Sequence, residues 1–548
     1  MQFAIDNSRR PVSDRTIFLA LVVASACLFA TTESTRYVDA TTYAGEVRSH
    51  KLIEPGHLLW RPLVFIAATL SGQLGSYSGT LWVTQWLCLI ASACAVGTAY
   101  LLGTRLFTRR TAFVCAALLA VTNGFWGYSF SGSCYDVCVL FVMLGVRAAV
   151  GPDDRPRGMH ALRAGLLGGL AASTWGMGVI AAPGIWLSVL LAGSPADREL
   201  RPAVRNTFAL GSGYILTFVA PLVASFLGRG WLATAGIGEA GIRKAGAPAG
   251  RFLSWFASSS HGIPVHFSVA QILRAALGWA QSLASTGDLG TELRLWLFGE
   301  RSFPFSPWLA VLALTYVAIG LFLVRIVRGF HALDSRHRGV AIAAIVALMI
   351  NLAVGVAWQG TDLERYLPSL PFQLALLGIA LESARPVLAG RHRTDPALWL
   401  FVGLAAINWL GDFAPALSPS STRQVWLRAI RQNAAAHDLV IVLGPRPPEL
   451  ISPHDSTLAH VHYVSLAIVT SGDGWRDITT WAIARTRERG GRVLIADALV
   501  SGDPHTHSGW SFIEHPRPSA QDLASYFRPL TSDRVGFIAG DEKIWLGH

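Results

Sequence analysis

The feature that most limits what this chain can fold into is its series of long apolar runs separated by short links that carry arginine. About twenty apolar residues suffice for a helix to cross a bilayer. Runs over 16–32, 80–103, 112–130, 134–150, 206–228, 306–325, 339–357, 367–382 and 397–415 meet or approach that length. The apolar stretch 164–193 lies between two arginine-bearing links, 151–163 and 194–205, so it must cross an even number of times. Small residues at Ser173–Gly178 permit the bend. The sequence thus predicts a polytopic α-helical membrane protein of about eleven transmembrane helices, with 52% hydrophobic and 14% charged residues. The net charge of +11 is spread over the links as the positive-inside pattern requires. It does not form the basic face with interleaved aromatics that would suit nucleic acid. The arginines at 9, 10 and 15 put the N-terminus in the cytoplasm, and the expected location is the plasma (inner) membrane.

Polar residues gather between the first two spans. Within Glu33–Pro62 lie Glu33, Asp39, Glu46 and Glu54 with Arg36, Arg48, Lys51, Arg61, His50 and His57, on the side opposite the cytoplasm. The apolar piece 58–70 is too short for a comfortable span, and Arg61 and Pro62 interrupt its start, so a surface or partly inserted helix is expected there. The external loops are 33–79 and 229–303. The second holds HGIPVHF (261–267) and a helical pattern over Val269–Leu283 that suits an interfacial helix or a structural lid. Asp136 sits just inside the outer end of its span, where a lone carboxylate needs a cavity or a partner.

From 416 onward the runs shorten to strand length. Strands are predicted over 438–444, 462–469, 492–499 and 536–547, with helices over 422–436, 476–489 and 519–527. This alternation predicts a C-terminal extracytoplasmic α/β domain, 416–548, following a transmembrane domain, 1–415. Asp503, His505 and His507 have a spacing that can meet a divalent ion, but the loop around them is an ordinary polar one, and no metal or other cofactor is assigned. LGPRPPE (443–449) has a single glycine and three prolines and is no phosphate cradle. The six cysteines fall in or beside apolar runs and form neither a disulfide framework nor a zinc pattern.

Over residues 16–415 the chain resembles the GT-C superfamily of integral membrane glycosyltransferases, which includes protein O-mannosyltransferases and aminoarabinose transferases. The resemblance is carried by Asp39 within YVDATTY, HLLWRP (57–62), the span ending in RLFTRR, GFWGYSFSG (124–132) ahead of Asp136, and ERYLPSLPF (364–372). It implies inverting transfer of a sugar from a polyprenyl-phosphate donor to an acceptor hydroxyl, with Asp39 as general base. Asp136 is the second catalytic candidate. A departing lipid phosphate needs cations, for which Arg365 and Arg61 beside His57 are the candidates. Glu46, Glu364 and Tyr366 complete the expected substrate contacts. Two departures stand out: Asp39 is followed by Ala40 rather than a second acid, and Leu58 and Leu59 replace a double proline. The expected partners are the lipid-linked donor, membrane lipids and an acceptor that is a protein, glycan or glycolipid. A transporter or flippase, or a non-catalytic subunit on the same scaffold, is the alternative reading. The lack of a convincing inverted repeat and the rim position of the acids favour the enzyme.

Overall fold

The computed structural model describes residues 12–32, 39–54, 56–151, 157–192, 199–225, 268–287, 289–297, 302–357, 360–388, 396–418, 422–443, 461–466, 474–502, 519–539 and 542–547. Most of them are helical. The chain runs through α1 (Asp14–Phe29), α2 (Asp39–Arg48), α3 (Trp60–Leu70), α4 (Tyr77–Leu106), α5 (Arg109–Val121), α6 (Asn123–Tyr128), α7 (Tyr135–Ala149), α8 (Arg157–Thr174), α9 (Ala182–Leu191) and α10 (Leu200–Tyr214). It continues with α11 (Val269–Leu283), α12 (Leu289–Leu297), α13 (Trp308–Gly329), α14 (Ser335–Ala357), α15 (Leu370–Leu388) and α16 (Pro396–Asn408).

Caps fix several starts. Ser13 and Ser76 accept from the backbone amides of Thr16 and Gly79, and Ser268 forms a reciprocal capping box with Gln271 ahead of α11. Among the described residues, four helices have the length and composition to cross a membrane: Tyr77–Leu106, Leu200–Ser225, Trp308–Gly329 and Ser335–Ala357. Several of the other expected spans are shorter, because the chain breaks where the sequence reads as continuous. The run 112–130, for example, divides at Thr122 into α5 and α6.

Small residues let helices approach closely. A Cβ on Gly165 would strike the backbone of Leu210, and one on Gly213 the backbone of Leu162 and Leu166, so α8 and α10 touch along their glycines. Buried amides then tie breaks to neighbours. Asn408 donates from Nδ2 to the Val121 carbonyl (2.6 Å) and accepts from the Ser285 amide (2.6 Å), while Asn123 donates to the Gln281 carbonyl (2.9 Å). Such bonds satisfy backbone groups that a break exposes.

After α16 the chain builds a five-stranded sheet: β1 (Leu439–Val442), β2 (His462–Ser465), β3 (Val493–Ala496), β4 (Thr531–Ala539) and β5 (Glu542–Gly547), in the order β2-β1-β3-β5-β4. The first three are parallel, and β5 runs antiparallel to both β3 and β4. Helix α17 (Thr422–Asn433) packs Trp426 and Ile430 on one face. Helices α18 (Gly474–Glu488) and α19 (Ala520–Phe527) cover the other with Trp475, Ile483 and Phe527. The single strand expected over 536–547 is instead the hairpin β4–β5. The HGIPVHF segment and the Asp503, His505 and His507 loop lie outside the described residues, as do residues 444–449 of LGPRPPE.

Candidate active site

The polar first loop contains a helix. Within α2, Asp39 is the first residue, Tyr43 follows one turn later on the same face, and Glu46 lies near the end. The chain then reverses through His50, whose φ is 59°, and reaches α3. Arg61, in the first turn of α3, is buried at 6% exposure and is held by the carboxylates of Glu46 and Glu54. Its Nη1 lies 3.5 Å from the Lys51 carbonyl, and its guanidinium stands 5.8 Å from the centre of the Tyr43 ring. Burial raises the Glu46 carboxyl above its ordinary value, and Arg61 pulls the other way. The guanidinium thus ties the two acids of this loop together.

His57 joins that loop to the bend in the middle of 164–193. Its Nδ1 lies 3.3 Å from the Thr174 carbonyl and 3.3 Å from Cys134 Sγ, and its Nε2 lies 3.3 Å from the Tyr43 hydroxyl. A carbonyl only accepts, so Nδ1 carries the proton and Nε2 accepts from Tyr43. The backbone adds two bonds: Leu59 N donates to Ser173 O and Gly176 N to Gly56 O, each at 2.8 Å. Over 164–193 the chain forms α8 and α9, joined by a 3-10 turn over Gly176–Ala181. The first loop is stitched to this bend.

The start of α2 meets a second turn. Ala40 is buried and faces Gly132, whose φ of +82° is a left-handed conformation; a Cβ there would stand 2.9 Å from that of Ala40. The Asp39 side chain, like Glu33 and Arg36, lies outside the described residues. Four residues beyond Gly132, Asp136 has no exposed surface. Ser92 donates to its Oδ2 at 2.8 Å, and among the described residues its Oδ1 has no hydrogen-bond partner. The partner that the sequence required of a carboxylate at that depth is thus a serine of α4.

The segment expected to hold Arg365 is a 3-10 turn, Leu363–Ser369, leading into α15. Arg365 is buried at 8% exposure, 3.8 Å from both the Asp362 and Glu364 carboxylates. The Tyr128 hydroxyl donates to Glu364 (2.9 Å), and Asn351 donates to the Arg365 carbonyl (2.7 Å). Tyr128 also packs edge-on against Tyr135, and Tyr135 packs at a tilt against Trp175, so an aromatic ladder runs from the Arg365 turn to the bend that holds the first loop. Tyr366 is wholly buried, and its hydroxyl proton is shared between the carbonyls of Ala275 (2.9 Å) and Gly360 (2.6 Å). It braces α11 against this turn. Sequence reasoning missed Tyr43, Cys134, Thr174, Tyr128 and Asp362. Of these, Tyr43 carried a signal, its four-residue spacing from Asp39.

Beside this end lies an apolar cavity of about 340 Å³, lined among others by Trp279, Leu283, Phe322, Leu370, Gln373 and Trp399. Its wall begins one residue beyond the Arg365 turn. Gln373 accepts from Trp279 Nε1 (3.2 Å) and donates to Ser369 Oγ (2.8 Å), which seals its polar atoms into the wall. Among the described residues no group of three or more His, Cys, Asp or Glu side chains is placed to hold a metal ion.

The fold is matched among solved structures. ArnT from Cupriavidus metallidurans in the apo state superposes with a TM-score of 0.50 at 13% identity, covering 97% of this chain and 98% of that one. The chain has the fold of the GT-C membrane glycosyltransferases. The same ArnT bound to undecaprenyl phosphate gives a TM-score of 0.49 at 11% identity, covering 97% of each chain. The Archaeoglobus fulgidus oligosaccharyltransferase in the apo form gives 0.47 at 12% identity, covering 93% of this chain and 72% of that one. No protein-family model matches the sequence, and no curated protein sequence matches it.

Proposed function

We propose that this protein is a membrane glycosyltransferase that moves a sugar from a polyprenyl-phosphate donor to an acceptor hydroxyl, with Asp39 as general base. The observation that carries the reading is the docking of the α2 start, at Ala40, onto the Gly132 turn within a GT-C fold. A base must reach the proton it abstracts, and a helix start locked onto a buried turn holds residue 39 in a fixed place. Arg365 supplies the cation for the departing phosphate. Its guanidinium lies 3.8 Å from the Asp362 and Glu364 carboxylates, and its planar fork can give a phosphate two parallel charge-assisted hydrogen bonds. His57, Glu46 and Glu364 shape the polar end, and the apolar cavity takes the first part of the lipid chain.

In this reading residues 1–415 form the transmembrane domain with about eleven crossings, and residues 416–548 form an extracytoplasmic domain. The site opens on the outer face of the plasma membrane. The test is turnover by the purified protein in lipid nanodiscs, using a panel of polyprenyl-phosphate sugars with and without hydroxyl acceptors. Release of polyprenyl phosphate with at least one donor supports the proposal. Absence of turnover with every donor, together with movement of a lipid-linked sugar across the bilayer, replaces it with the transporter reading.

A further inference from the structure

The buried carboxylate of Asp136 is the titratable group whose place in this chemistry is least obvious. It has no exposed surface, so neither a sugar nor an acceptor reaches it. Its surroundings lead elsewhere. The single proton of Ser92 Oγ is shared among three acceptors, Asp136 Oδ2 and the Cys88 carbonyl of its own helix, each at 2.8 Å, and the Ser129 carbonyl at 3.3 Å. Ser129 opens the turn 129–133. Within that turn Ser131 Oγ donates to the Tyr128 carbonyl (2.8 Å) and accepts from the Ser133 amide (3.0 Å). The turn places Gly132 at φ +82° against Ala40 and the backbone of Gln85.

We infer that Asp136 is a positioning residue, acting through Ser92 and the Ser129–Ser133 turn to seat Ala40 and so fix the start of α2. The inference deepens the reading of Asp39 as base and rests on it. The contact at Gly132 has no slack. The Ala40 Cβ is tied rigidly to its helix backbone, so a methyl group at 132 displaces either the turn or the helix start. Gln85, with its Cγ at 3.2 Å and its amide nitrogen at 3.3 Å from the same point, closes the other side. A displacement of a few tenths of an ångström to an ångström at a reacting group costs about 10- to 100-fold in rate. The lipid chain, held in the apolar cavity, does not feel it.

The experiment uses the full chain in nanodiscs, with kcat and KM for the lipid donor and the melting temperature measured for each variant. Gly132→Ala is expected to lower kcat by about 10-fold or more while donor KM stays within about threefold. Adding Ala40→Gly, which removes the opposing methyl, is expected to recover at least about threefold of that loss, even though the left-handed backbone at 132 stays strained. Asp136→Asn, which keeps shape and an oxygen acceptor for Ser92, should retain about a third or more of kcat, and Asp136→Val should lose about 10-fold or more. If Gly132→Ala does not fold, the two Asp136 variants carry the test alone. Loss of kcat in Asp136→Asn equal to that in Asp136→Val overturns the inference and makes the carboxylate itself essential. Failure of Ala40→Gly to rescue a folded Gly132→Ala also overturns it. Asp39→Asn run in parallel separates the two claims: unchanged turnover there removes the base while leaving the Gly132–Ala40 coupling to be scored on its own.

Discussion

Arg61→Met is the perturbation whose size follows most directly from the structure. The guanidinium is 7% exposed and is shared by two carboxylates that are 28% and 37% exposed. Removing one partner of a buried ion group costs about 3–5 kcal/mol. Glu46 and Glu54 keep part of their water, so we expect about 2–4 kcal/mol at neutral pH. The pH dependence follows from Glu46, whose carboxyl is raised by burial while Arg61 opposes the shift. A folded-state pKa above the unfolded one means that ionised Glu46 costs stability. That cost appears as pH rises from the unfolded value, about 4.3, through the folded one. Without Arg61 the opposing pull is gone. The deficit of the variant is therefore largest near neutral pH and shrinks as pH falls toward about 4. Thermal unfolding in detergent between about pH 4 and 8, read by tryptophan fluorescence, measures it. Adding Glu46→Gln and Glu54→Gln to Arg61→Met should recover most of the loss, because the stranded charges are gone. A deficit that is independent of pH, or a triple variant no better than Arg61→Met, would refute the reasoning.

Two further outcomes test the framework around the site. Tyr366→Phe leaves the Ala275 and Gly360 carbonyls without that hydroxyl and should cost about 1–3 kcal/mol in thermal unfolding. In the sheet, burial alone would raise the Asp438 carboxyl, but hydrogen bonds from Arg492 and from the amides of Ala435 and Arg492 hold it below its ordinary value. Its contribution is therefore present above the unfolded value, about 3.9, and is lost as pH falls through the lowered folded value. Asp438→Asn should speed amide exchange in β1 and β3 at pH 7 and flatten the acid-side loss of protection.

Much of the architecture was legible because it rests on local pattern. The helix expected over Val269–Leu283 occupies those residues. The bend near Ser173–Gly178 is where α8 gives way to the 3-10 turn. Where the sequence misled, the cause is physical. Helix α2 has ten residues and a polar composition, too short and too mixed for a clear apolar period inside a loop. The run 536–547 reads as one apolar strand, although the structure gives two, β4 and β5. The partners of Arg61 and Tyr366 could not be read, because a sequence shows that a cation or a phenol is present and not what it holds. Arg61 finds Glu46 and Glu54 through the reversal at His50. Tyr366 finds Ala275 across a helix 91 residues away. The contact of Ala40 with Gly132 is likewise long-range. The left-handed glycine within SFSGS left a trace in the sequence, but its neighbour left none.

The most direct test of the account compares wild type with Asp39→Asn, measuring sugar release from a polyprenyl-phosphate donor and, on the same preparations, binding of that donor. With Asp39 as base, turnover should fall by about 100-fold or more while donor affinity stays within about threefold of wild type. Turnover that survives in Asp39→Asn with its rate unchanged would contradict it.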